Sequence, residues 1–345
     1  MKTTRRKFLG QLGATTAGLG LSTLIPQSLF PMGRDNKFGF EISLGEFSFA
    51  SELYSGKMTN MDFPARAKEV HDITVLEYVS GFFNGKHTDA GYMKELKQRC
   101  DDLGMLNHLI MVDGANITSI NDKERNAAVE GHFEWVEAAK YLGCTSIRVN
   151  LGDAMGALTG KVEPGTPEEI ASAAVDGYGK LLDFAAKENI NVIVENHFGN
   201  STNADWLVGI MTQLDQKNKG FLPDFGNFCA ERTAAKSMDF KDLISTKCLK
   251  EYDKYEGVSK MMPYTKGISA KTHRFNDEGY DLETDFIKMF TIIKDSGWTD
   301  GYVGIEYEGG LMRDMGGDMS FLSNDDGVRA TKLLLEEVLE KLGKE

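Results

Sequence analysis

The stretch Val192-Ile-Val-Glu195-Asn-His197-Phe-Gly199 is an apolar run that ends abruptly in a carboxylate, an amide and an imidazole. A run such as residues 190–194 reads as a strand buried on both faces, as strands are in a parallel sheet, and the polar cluster at its C-terminal end marks the mouth of a site. Two later stretches repeat the pattern, Phe221-Leu-Pro-Asp224-Phe-Gly-Asn227 and Tyr302-Val-Gly-Ile-Glu306-Tyr-Glu308-Gly-Gly310. Acids that converge from three strand ends repel one another at neutral pH unless a cation lies between them. The pattern predicts a divalent-metal site at the C-terminal ends of barrel strands.

Outward from this stretch, strands and helices alternate in both directions. Strands are predicted at residues 40–49, 73–79, 106–112, 146–150, 190–194, from 221, at 267–273 and at 302–307. Helices are predicted at 63–70, 90–103, 122–142, 166–187, 204–214, 286–295 and 328–342, several opened by a capping residue and closed by glycine. Strand starts recur every 30–45 residues or so, the spacing of successive βα units. Eight of them make a (β/α)8 TIM barrel, an α/β fold. Residues 152–164, rich in Gly and Pro, are expected to form part of a lid, and 228–260 to form an irregular or short-helical connection.

One barrel of about 250 residues plus insertions accounts for most of a 345-residue chain that is 41% hydrophobic. The formal net charge of −13 argues against nucleic acid or an anionic membrane as partner. Thr4-Arg5-Arg6-Lys7-Phe8-Leu9, followed by a weakly apolar Gly- and Thr-rich stretch, resembles a twin-arginine export signal. The expected organisation is a signal segment and linker at 1–34 and one catalytic barrel at 35–345, exported to the periplasm or cell envelope. Removing the segment takes Lys2, Arg5, Arg6 and Lys7 with it and makes the mature chain still more acidic. Cys100, Cys144, Cys229 and Cys248 include no Cys-x-x-Cys pair, so free buried thiols are expected. Cys229 and Cys248 are the one pair that share a connection and could bond in an oxidising compartment.

Glu195-Asn-His197, Leu222-Pro-Asp224-Phe-Gly-Asn227 and Gly304-Ile-Glu306-Tyr-Glu308-Gly resemble motifs of the xylose isomerase-like TIM barrel superfamily, in particular its sugar phosphate isomerase/epimerase group. Leu109-Ile-Met-Val-Asp113-Gly and Gly143-Cys-Thr-Ser-Ile-Arg148-Val-Asn150 resemble the same group, and the match runs in order over residues 38–345. The resemblance implies one divalent ion held by Glu195, Asp224 and Glu306, with a further ligand from the seventh strand. That strand departs from the group's His-x-Lys-Asp, reading Ser269-Ala-Lys271-Thr-His273. Alternation puts Ser269, Lys271 and His273 on one face, so two registers are open. If Lys271 matches the group's lysine, Ser269 replaces the histidine; the expectation adopted is that His273 supplies the nitrogen. A carboxylate-rich set favours Mn or Mg, with Zn or Co as alternatives.

The resemblance further implies that Glu195 and Glu306 carry protons and that His197 contacts a substrate hydroxyl. Lys271 is expected either to balance the acids or, with a lowered pKa, to polarise the substrate or carry a proton. Glu77, Asp113, Arg148 and Asn150 are candidate lining residues, whereas His71, His87, His108 and His132 read as structural or solvent-facing. The implied activity is a metal-dependent sugar isomerase or epimerase that abstracts a proton beside a carbonyl through an enediolate. Export, and the lack of a glycine-rich phosphate loop or arginine cluster, argue for a non-phosphorylated sugar or keto-sugar. A 3-keto-glycoside lyase acting by β-elimination is the alternative enzyme, and an inactive exported sugar-binding protein the alternative of another class. The expected partner is a small carbohydrate, with self-association left open.

Overall fold

Pro223 has no N–H and ends its strand, yet its carbonyl accepts from Ser269 N at 2.9 Å, and this contact helps to close a barrel. The computed structural model describes residues 38–343 apart from Val162 and Met238. An eight-stranded parallel sheet is made of β1 (Glu41–Gly45), β2 (Val75–Val79), β3 (Leu106–Val112), β4 (Ser146–Val149), β5 (Asn191–Glu195), β6 (Lys219–Leu222), β9 (Ile268–Thr272) and β10 (Tyr302–Tyr307). Between β6 and β9 come β7 (Cys229–Arg232) and β8 (Cys248–Glu251), which pair as a separate antiparallel hairpin. The sheet runs β6-β5-β4-β3-β2-β1-β10-β9, and two isolated bridges, Phe221 with Thr265 and Asp224 with Ser269, close the seam.

Helices fill the gaps between barrel strands because their ends are specified locally. Thr166 and Glu169 form a reciprocal capping box with Pro167 at the first helical position, opening Pro167–Lys187. Asn121 caps Asp122–Leu142, and a left-handed Gly143 closes it. The last helix begins at Asn324 rather than 328 because Ser323 caps it there, and the first strand is cut to five residues by a 3-10 turn, Glu46–Phe49. Among the described residues no helix is long and apolar enough to cross a membrane.

Strand alternation sorts the core into two layers. Val192 and Val194 pack in the large cluster under the helices, whereas Ile193, Leu222, Leu109 and Met111 belong to a smaller inner cluster. Glu195 shares the phase of Ile193, and Asp224 that of Leu222, so both acids point into the barrel mouth. Residues 228–260 differ from expectation: besides two short helices they contain the β7–β8 hairpin. Cys229 and Cys248 are disulfide-bonded across it, which corrects the expectation of free thiols for that pair, while Cys100 and Cys144 are buried and free. The twin-arginine segment lies outside the described residues.

Candidate active site

Glu195 from the end of β5, Asp224 just beyond β6 and Glu306 from β10 each offer a buried carboxylate oxygen, and the three oxygens lie within 4.8 Å of one another. Asn196 fixes the loop that carries Asp224: its amide donates to the Asp224 carbonyl at 3.0 Å, and its own carbonyl accepts from Asp224 N at 2.7 Å. Ser269 fills the gap between two of the acids. Its hydroxyl lies 2.6 Å from Asp224 Oδ2 and 2.7 Å from Glu306 Oε2, one proton for two acceptors.

Two cations border the cluster, and both are shared with other acids. Lys271 Nζ is 2.9 Å from Glu308 and 3.6 and 3.7 Å from Asp224 and Glu306. Burial alone would lower the lysine, but Asp224, Glu306 and Glu308 outweigh it and hold the ammonium well above its ordinary range. In these surroundings Lys271 is a positive charge that balances the acids. Arg148 Nη1 is 2.6 Å from Asp113, and its Nε is 2.7 Å from Glu195 Oε2. The second approach is close but off line for a hydrogen bond, so both atoms lack a directed partner. Asn227 donates to the other Glu195 oxygen at 2.7 Å.

The acids are therefore under-compensated. Burial raises Glu306 to about 7, and neighbouring Asp224 and Glu308 add to the effect. Burial likewise raises Glu195 well above its usual value, against the pull of Arg148. Three buried carboxylates with shared counter-charges, and a Glu195 oxygen that Arg148 approaches without a directed hydrogen bond, fit a divalent cation. The donors that face the cluster are all oxygen, Ser269 included.

His273 does not join the cluster, which corrects the expectation of a nitrogen ligand from this strand. In the β9–β10 register Lys271 pairs with Glu306, and Ser269 bridges to Asp224, so His273 falls beyond the strand end. It lies 3.0 Å from Glu283 and 3.3 Å from Glu308. Burial alone would lower it, but these two acids raise it to about 10.

His197 takes the opposite state. Burial, aided by Arg148 and Lys271, lowers it to about 3, so the ring is neutral, with Nδ1 buried and unpartnered. Asn150 and Arg148 both donate to Asp113 Oδ1, at 3.0 and 2.6 Å. Burial alone would raise Asp113, but Arg148 outweighs it and holds the group below its usual value. Glu77 accepts from Ser43 at 2.6 Å and projects into space left by Gly304, where an added Cβ would lie 2.5 Å from its unpartnered oxygen. Burial raises Glu77 to about 7. Glu308, Asn227 and Asn196 stand in the strand-end motifs quoted above but were given no role of their own. Glu308 shares the strand phase of Glu306 and was open to detection by alternation; the two amides lie in loops, where no period points to them.

The model of the family described as Xylose isomerase-like TIM barrel matches residues 67–329. The chain belongs to that family. Among solved structures, this xylose isomerase-like barrel is similar to an L-ribulose 3-epimerase, at TM-score 0.63 and 14% identity over 89% of this chain and 96% of the other. It is also similar to the 3-keto-D-glucoside 4-epimerase YcjR of E. coli, at TM-score 0.58 and 13% identity over 87% of this chain and 100% of the other. A third is the IolI protein described with a bound zinc atom, at TM-score 0.61 and 14% identity over 88% and 99%. Identities this low speak for the fold alone. No curated protein sequence matches the chain.

Proposed function

We propose that the chain is a metal-dependent sugar isomerase or epimerase that moves a proton beside a carbonyl through an enediolate, on a non-phosphorylated sugar or keto-sugar. The observation that carries this reading is the placement of two buried glutamates, Glu195 and Glu306, on different strands around one carboxylate cluster. When bound, a divalent ion held by Glu195, Asp224 and Glu306 supplies Lewis-acid polarisation of a sugar carbonyl and its neighbouring hydroxyl.

The side chains divide the remaining work. One of Glu195 and Glu306 removes the proton and the other returns it; return to the opposite face of the same carbon gives an epimer, and to the adjacent carbon an isomer. The Lys271 ammonium is a fixed charge for the developing oxyanion. Neutral His197 offers a hydrogen bond to a hydroxyl, and Arg148 holds Asp113 and Glu195 in place. The names of two similar structures, an L-ribulose 3-epimerase and a 3-keto-D-glucoside 4-epimerase, support a sugar substrate. The second keeps a keto-glycoside lyase in view, since the same proton abstraction beside a leaving group gives β-elimination. We also propose export by the twin-arginine route, to which the Cys229–Cys248 disulfide is suited.

The test is hydrogen–deuterium exchange followed by NMR in D2O, with Mn or Mg added separately, on a panel of ketoses and 3-keto-glycosides; Mn samples are stripped with chelator before reading. Metal-dependent exchange beside the carbonyl, lost in Glu306→Gln, is the expected result, and the products separate epimer from eliminated aglycone. Sugar binding without exchange for any member would instead favour a binding protein.

A further inference from the structure

The β7–β8 hairpin begins two residues after Asn227, so it hangs from the loop that carries Asp224. Both its strands are four residues long and mostly exposed, too little to hold a fixed shape unaided. Two contacts hold it. The disulfide ties Cys229 to Cys248 at a Cα separation of 5.7 Å. The following residues lean on the other insertion: Ala235 N donates to Leu158 O at 3.4 Å, and Gly160, at φ 76°, comes so near Ala234 that a Cβ there would lie 2.6 Å from the alanine Cβ. The two insertions thus meet beside the barrel mouth.

Arg232 is the residue this arrangement holds in place. Its guanidinium lies over the ring of Phe198, at 5.3 Å, and Phe198 follows His197 in the chain and packs on its imidazole. Nη1 donates to Thr246 Oγ1 at 2.8 Å, whereas Nε is buried with no partner. Among the described residues no acid forms an ion pair with Arg232; Glu308, whose charge it feels, is committed to Lys271 and His273. A partly desolvated guanidinium whose buried Nε has no partner, in a chain with 52 acidic residues, is costly unless something else takes up the edge that carries it. That edge, Nε with Nη2, is the side-on fork that binds two coplanar oxygens.

We propose that Arg232 is a specificity-determining residue that receives a carboxylate on the substrate, making the preferred ligand a sugar acid rather than a neutral sugar. The fork suits a carboxylate or a phosphate, and the phosphate arm of the test below separates the two. The carboxylate would sit at the end of the sugar remote from proton transfer, with Phe198 beneath the guanidinium to fix its plane. This inference rests on the reading of the site as one for sugars.

The experiment is calorimetric binding to the Mn-loaded protein of matched pairs, D-glucuronate with D-glucose and D-galacturonate with D-galactose, together with D-glucose 6-phosphate. A charge-assisted fork predicts that each acid binds about ten- to a hundredfold more tightly than its neutral partner. Arg232→Gln should erase that preference, and Arg232→Lys, which keeps the charge and loses the fork, should retain only part of it. Equal affinities in the wild type, no measurable binding of the acids, or a preference that survives Arg232→Gln would overturn the proposal, the last by placing the carboxylate on the metal. Tighter binding of the phosphate than of either acid would overturn the choice of carboxylate. Binding is read without turnover, so a carboxylate preference without proton exchange would fault the catalytic reading and leave the role of Arg232 standing.

Discussion

Glu306→Gln is expected to change how the stability of the metal-free protein depends on pH. The folded protein holds this carboxyl at about 7, chiefly through burial, whereas the unfolded chain titrates it near the ordinary glutamate value of 4.5. Between those values the folded state keeps a proton that the unfolded state has released, so stability falls as pH rises. The penalty is absent below about 4.5 and complete above about 7; at about 1.4 kcal/mol per pH unit it amounts to ~3 kcal/mol. Glutamine keeps the shape and can still accept from the Ser269 hydroxyl, but has no proton to lose. Urea unfolding in chelator from pH 4.5 to 8 should show the wild type losing ~3 kcal/mol relative to the variant. Saturating Mn should oppose the trend in the wild type, because the ion binds the deprotonated cluster and stabilises it more at pH 7.5 than at pH 5. Parallel pH profiles for the two metal-free proteins would refute the assignment of the raised group to Glu306.

Ser269→Ala removes the hydroxyl between Asp224 and Glu306 and should cost the metal-free protein about 2 kcal/mol in urea unfolding, with a smaller loss once Mn is bound. Asn196→Ala deletes the paired bonds to the Asp224 backbone and leaves a buried N–H unpartnered; a loss of about 3 kcal/mol is expected, with weaker Mn binding by calorimetry. Cys248→Ser opens a loop closed over 19 residues, so the hairpin should lose about 3 kcal/mol of local stability. Limited proteolysis should then cut the segment between β7 and β8 in the variant or in reductant, and spare it in the oxidised wild type.

Much of the architecture is legible along the chain because it is set by local rules. Doubly buried strands read as apolar runs, caps and closing glycines bound the helices, and the period of two puts Glu195 in phase with Ile193, so that an inward acid at a strand end follows from position alone. The three converging acids, Glu195, Asp224 and Glu306, were visible for that reason. The charge state of each site residue was not, since it depends on neighbours from other strands: Lys271 faces Asp224, Glu306 and Glu308 and is held protonated, while His197, buried near Arg148 and Lys271, is held neutral.

The sequence by itself determined that eight βα units close around acids at their strand ends, because strand and helix signals are properties of short segments. Only the tertiary structure decided which residue of Ser269-Ala-Lys271-Thr-His273 meets those acids. Alternation puts all three candidates on one face, and the choice among them is a matter of height, set by the pairing of β9 with β10 and its bridge to Asp224. Tertiary structure also brought Cys229 to Cys248 and Arg232 to Phe198, contacts between segments whose separation along the chain carries no period to read.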